Sequence, residues 1–200
     1  MPKQFKFFAG TQYYNIFNRY LDHPDNGKMR SQQEFILASF GVFDWLSIDL
    51  KGGAGDIKQK PENIDQRNYS AFLGGGYGFR LRLYDKDKIK AVFGFQHISI
   101  HPHIIHPAGV KNKAVLDDWQ LSALASYEFK KITPYLGTRW SRCDYINWVN
   151  GERSRVKSDL DKSVGFIYGC DIAITDKWWV NLEGQAFDSD AFAASLNYSF

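Results

Sequence analysis

Sulfur is scarce in this chain: 200 residues hold two cysteines and two methionines. Cys143 and Cys170 lack the close pairing of a zinc or iron–sulfur site, which sets those classes aside. On the strand assignment below one faces inward and the other outward, so no disulfide is expected. A run of about 18 apolar residues is also absent, so no helix is expected to cross a bilayer. That absence leaves strands free to do so, because a spanning strand needs only about ten alternating residues. Charge of one sign is lacking too. Twenty-five Lys and Arg against 22 Asp and Glu leave +3, scattered along the chain, which argues against a nucleic-acid surface. Gly-x-Ser-x-Gly, His-Glu-x-x-His and phosphate-loop patterns are missing, and no cofactor is implied. The stretch Met1 to Phe8 lacks the organisation of a signal peptide.

Aromatic residues, by contrast, are plentiful: 6 Trp, 11 Tyr and 16 Phe. Many fall in segments of period two, the signature of strands with one apolar face. Ten such segments are legible: Lys6–Phe17, Gln33–Val42, Leu46–Gly55, Ser70–Tyr84, Ile89–Ile100, Trp119–Phe129, Thr133–Tyr145, Ser163–Ile174, Trp178–Phe187 and Ala191–Phe200. Their connections alternate. Tight turns stand near Asp44, Asp87, Lys131 and Asp176, whereas residues 18–32, 56–69, 101–118 and 146–162 read as long polar loops. The final link, 188–190, is short. A meander with short turns at one end and long loops at the other predicts a single all-β domain over 1–200. It is expected to be a ten-stranded antiparallel up-and-down transmembrane barrel, with eight strands as the alternative count.

In the fourth segment Ala71, Leu73, Tyr77, Phe79, Leu81 and Leu83 form one face. Gly74, Gly76, Gly78, Arg80 and Arg82 form the other, with Phe72 interrupting. Alternation alone does not say which face is inside. Aromatics at strand ends (Trp119, Phe129, Trp178, Phe200), small residues opposite, and segments longer than the usual five or six residues favour apolar-out. The inward charges are then Asp49, Lys51, Arg80, Arg82, Glu128, Arg139, Asp171 and Glu183. Four of each sign suggest an ion-paired lumen rather than a selective pore, which would carry a ring of one sign. Arg80, Arg82 and Arg139 are expected to contact Asp49, Glu128, Asp171 or Glu183.

The closing segment places Phe192, Ala194, Leu196, Tyr198 and Phe200 on one face. This strand resembles the last strand of bacterial outer-membrane β-barrels, in which a terminal aromatic is part of the signal read by the barrel-assembly machinery. Lys131 to Trp140 (KITPYLGTRW) resembles a strand start of opacity-type and outer-membrane-protein-A-like barrels, and Phe40 to Ile48 and Ile172 to Trp179 resemble their turns. Ten strands depart from that family's usual eight. The resemblance implies a bacterial outer-membrane location, with any signal sequence removed ahead of Met1. It implies contact with outer-membrane lipid and lipopolysaccharide, Tyr198 and Phe200 as the assembly signal, and an extracellular partner met through the long loops. The expected role is non-enzymatic, structural or surface-interacting, and a narrow porin-like channel for water, ions or small solutes is the alternative.

Four of the five histidines crowd into residues 97–106. His101 and His103 have the spacing by which one strand offers two imidazoles to a metal, although no metal is expected. His97-Ile98-Ser99 resembles the His-x-Ser pattern of outer-membrane lipases and lipid A deacylases. Ile100 stands where that pattern has Asn, and the inward Glu128 is poorly placed as a third member. A lipid-modifying enzyme built on His97 and Ser99 is therefore the least favoured reading.

Overall fold

The computed structural model describes residues 1–22, 26–62 and 65–200. Small parts of two expected loops, residues 23–25 and 63–64, lie outside the described residues. The strands are β1 (Phe7–Tyr20), β2 (Lys28–Phe43), β3 (Leu46–Lys60), β4 (Arg67–Lys86), β5 (Ile89–His101), β6 (Asn112–Tyr127), β7 (Ile132–Val149), β8 (Glu152–Lys157), β9 (Val164–Ala173), β10 (Trp178–Ala186) and β11 (Asp190–Ser199). All pair antiparallel. Ten of them close into a barrel as β1 pairs with β11 and β7 pairs with both β6 and β9. The remaining one, β8, forms a hairpin with the upper part of β7, beyond the closed wall.

The pairing climbs as it goes round. From Phe8, at the short-turn end of β1, paired residues run through Ser39, Asp49, Gly78, Gln96, Gln120 and Ser141. Ser141 then bonds the carbonyl of Ser163, at the long-loop end of β9 (2.8 Å). This stagger is what strand tilt in a closed barrel requires.

Several strands outrun their expected ends. Residues 18–20, 28–32, 56–60, 112–118 and 146–149 are strand, and β8 lies inside an expected loop. The reason is a change of surroundings partway up the wall. Low on β2, Ile36 and Phe40 face out, 70% and 43% exposed. Higher up the outward residues are Lys28, Arg30, Gln32 and Glu34, while Met29, Ser31, Gln33 and Phe35 are buried inside. On β3 the outward Ile48 and Leu50 give way to Asp56 and Lys58 in the same manner. The lower barrel is apolar-out, as lipid demands, and the upper barrel is polar-out and packed inside, as water demands. A polar stretch beside an apolar strand reads as loop when one rule is applied to both.

The core follows from this inversion. Tyr14, Phe35, Ile57, Tyr69, Ile98, Ile100, Leu116 and Tyr145 project inward and fill the upper lumen as one cluster, each under 5% exposed. A fully buried side chain of this size contributes about 1.5–3 kcal/mol. The small residue at Gly74 is part of the fit, since a Cβ there would stand 2.7 Å from Cδ1 of Ile100.

Candidate functional site

Below the apolar cluster the lumen is a cavity of about 780 Å³, reaching the short-turn end beside Lys131 and Thr175. Asp49, Lys51, Arg80, Arg82, Glu128, Asp171 and Glu183 all line it. Arg80 grips Asp49 with two nitrogens at 2.7 Å and donates to Ser39 at 3.0 Å. Lys51 Nζ donates to Gln12 at 2.9 Å. Tyr135 donates to Glu183 at 2.9 Å, and Asn181 donates to Asp171 at 2.8 Å. At the rim Arg82 turns to Asp85 and Glu128 receives Lys90, so these two charges do not meet each other.

Arg139 lies higher and is 1% exposed. Its partner is none of the expected acids but Asp188, which accepts from Nε at 2.8 Å. Arg19 donates to the same carboxylate at 3.2 Å, and Ser141 Oγ donates at 2.5 Å. Gln185 and Ser189 accept from Arg139, and Ser158 accepts from Arg19. Sequence reasoning assigned Asp188 to the final turn and Arg19 to a loop. Phe187 takes a left-handed backbone (φ 80°), and Asp188 beyond it is sealed inside. The available signal was the shortness of that link, which holds Asp188 and Ser189 at the barrel wall. Together the buried arginine–aspartate network and the apolar cluster form a roof over the cavity.

The outer wall holds a second group. His97, Ser99 and His101 alternate outward on β5, and Asp117 stands directly opposite Ser99 on β6. Ser99 Oγ is 2.6 Å from Asp117 Oδ1 and 2.9 Å from His101 Nε2. His97 lies against the Trp119 ring, 4.1 Å between centroids, with Nε2 3.6 Å from the Asp117 carboxylate. The hydroxyl thus meets His101 rather than His97. Asp117, just ahead of the expected start of the sixth segment at Trp119, takes the place beside Ser99 that Glu128 does not reach. His103 leaves His101 and stacks on Phe72 (4.4 Å), so the two imidazoles do not converge on a shared ion. Among the described residues no group of three His, Cys, Asp or Glu side chains is placed to hold a metal.

Past this level the wall is wet. On the outward face of β7, Asp144 bonds Arg142 at 3.0 Å and Arg155 of β8. Burial would raise the Asp144 carboxyl, but hydrogen bonds from the two guanidiniums outweigh it and hold it below the usual carboxylate range. At the opposite end Phe200 closes the seam. Its backbone N–H donates to Phe7 at 3.1 Å and its ring stacks on Phe7 at 4.3 Å. Tyr198 packs between Trp178 and Phe200. Cys143, buried inside, and Cys170, half-buried, are both free thiols.

No protein-family model and no curated protein matches this chain. Solved structures do. The transport unit of the autotransporter AIDA-I from Escherichia coli superposes with a TM-score of 0.53 at 14% identity, over 99% of this chain and 91% of that one. An outer membrane channel from Pseudomonas putida F1 superposes with a TM-score of 0.50 at 8% identity, over 100% and 97%. At these identities the likeness is one of architecture: the chain has the fold of a closed antiparallel β-barrel of the outer-membrane type.

Proposed function

We propose that this chain is a non-conducting barrel of a bacterial outer membrane that acts from its surfaces rather than through its bore. The observation that carries this reading is the roof. Arg139, Asp188, Arg19 and the cluster around Ile98, Ile100 and Leu116 occupy the space a pore would need. A conducting path needs continuous water and sites that an ion can leave, whereas a packed aliphatic layer offers neither. The balanced lower charges then serve stability, each satisfied by a neighbour.

The turn and strand-start patterns favour a relation to opacity-type and outer-membrane-protein-A-like barrels, with one additional hairpin. Tyr198 and Phe200, packed at the closing seam, suit a role in recognition by the assembly machinery. Outer-leaflet lipid and lipopolysaccharide are the natural partners of the wall, and the rim beyond it suits an extracellular partner.

Planar-bilayer recording of the refolded protein tests the reading. A flat trace at 100 mV in molar salt is expected, from protein whose gel migration is heat-modifiable. Reproducible conductance steps would overturn it in favour of the channel.

A further inference from the structure

A neighbour satisfies each charge of the lower lumen, but not always with a charge of opposite sign. Asp49 has Arg80, and at the rim Arg82 has Asp85 and Glu128 has Lys90. Lys51, Glu183 and Asp171 form no ion pair among the described residues. Lys51 Nζ donates to the side-chain oxygen of Gln12 at 2.9 Å and lies beneath the Phe35 ring of the roof, 5.9 Å from its centroid. Glu183 accepts from the Tyr135 hydroxyl at 2.9 Å and from the Gln185 amide at 2.8 Å. Asp171 accepts from Asn181, whose amide also donates to the Tyr135 hydroxyl at 2.9 Å, so one hydrogen-bonded wall carries both acids. Round the closed barrel β3 stands four strands from β10 and five from β9, which sets Lys51 across the lumen from Glu183 and Asp171. Between them lies the cavity of about 780 Å³, within the range of about 300–1,000 Å³ that small-molecule pockets occupy. Leu37, Leu124 and Ile167 add apolar surface to its lining.

We propose that the lower lumen is a binding pocket for a small dibasic amino acid, entered from the short-turn end. This goes beyond a non-conducting barrel: a lumen roofed above and reached from below can hold what it does not pass. Opposite charges held apart in a confined space forgo the attraction that would offset their desolvation, and an occupant that bridges them restores it. One cation faces two anions here. An occupant with one carboxylate and two ammonium groups, net charge +1, balances the set. Its carboxylate meets Lys51, its α-ammonium meets Glu183, and its second ammonium meets Asp171, two residues from the short-turn end of β9. The apolar lining suits the aliphatic stem between the two amines. Gln12, Tyr135, Gln185 and Asn181 already orient the three charges, so little is left to order on binding. In an outer membrane the short turns face the periplasm, which makes the ligand a periplasmic solute.

Isothermal titration calorimetry of the refolded full chain in detergent micelles, at neutral pH and low salt, tests the pocket with three probes. L-lysine carries all three groups, cadaverine lacks the carboxylate and 6-aminohexanoate lacks the α-ammonium. L-lysine should bind, and each of the other two at least about tenfold more weakly, the loss expected when one charge-assisted contact is removed. Lys51→Met should bring L-lysine down to the level of cadaverine, and Glu183→Gln should bring it down to that of 6-aminohexanoate. Lys113→Gln, on the outer wall against Trp148, should leave L-lysine binding unchanged. Absence of saturable heat from L-lysine at millimolar concentration, equal affinity for the three probes, or undiminished binding in Lys51→Met would overturn the proposal while leaving the non-conducting barrel intact. Should either lumen variant fail to reach the heat-modifiable form, the ranking of the three probes on the wild-type protein decides. Failure of the wild type to reach that form would instead count against the barrel itself.

Discussion

Asp188 is the position where one substitution should cost most. Its carboxylate is the shared acceptor of Arg139, Arg19 and Ser141, and its side chain is 0% exposed against 1% and 3% for the two arginines. Asp188→Ala leaves two buried guanidiniums without their carboxylate. Breaking a buried pair on one side costs about 3–5 kcal/mol. A loss of 3 kcal/mol is more than a hundredfold in the folding equilibrium, at about 1.4 kcal/mol for each factor of ten. Asp49→Ala is the control. It frees Arg80, whose side chain is 31% exposed beside a wet cavity, so screening limits its cost to about 1 kcal/mol. Asp188→Asn keeps an acceptor of the same size and should fall between them. Urea titration in detergent micelles, read by the fraction migrating as folded on unheated gels, ranks the three. Asp188→Ala within 1 kcal/mol of Asp49→Ala would refute the sealed network.

Other consequences are as direct. Replacing Phe35, Ile100 and Leu116 together by Ala removes much of the roof, and should turn a silent planar bilayer into one with resolvable ion steps. Ile36→Arg sets a guanidinium in the apolar band and should cost up to about 2–4 kcal/mol in refolding titrations, whereas Glu34→Arg, one outward position higher, should cost little. Asp144 has its folded pKa below its unfolded one, so its contribution is present above the unfolded pKa and is lost as pH falls through the folded value. Protection of the β8 amides, taken relative to their intrinsic exchange rates, should therefore be high at neutral pH and fall in acid, and Asp144→Asn should remove that dependence.

The spanning half of the fold was legible because lipid outside and small or charged residues inside give clean alternation. Strand four read correctly from Leu73 to Leu83, and the inward parity of Arg80 and Asp171 came with it. The upper half was not legible by the same rule. Lys28, Arg30 and Gln32 face water while Met29, Ser31 and Gln33 face the core, so the polarity of the two faces exchanges near Glu34. The site residues divide on the same line. Asp49 and Arg80 lie in the clean region, and their pairing follows from register. Arg139 was assigned its face but not its partner, since Asp188 reaches it only through the left-handed Phe187. The grouping of Ser99 with Asp117 depends on cross-strand register, which 17 intervening residues do not reveal.

Spin-label accessibility in reconstituted vesicles tests the central claim, a barrel apolar outside, wet in its lower bore and sealed above. Single labels would stand at Leu136, Ser122 and Ile98, on the lipid face, the cavity wall and the roof. Leu136 should meet oxygen but not a water-soluble nickel chelate, Ser122 should meet the chelate, and Ile98 should meet neither. Chelate contact at Leu136 would contradict the membrane band, and chelate contact at Ile98 would contradict the sealed lumen.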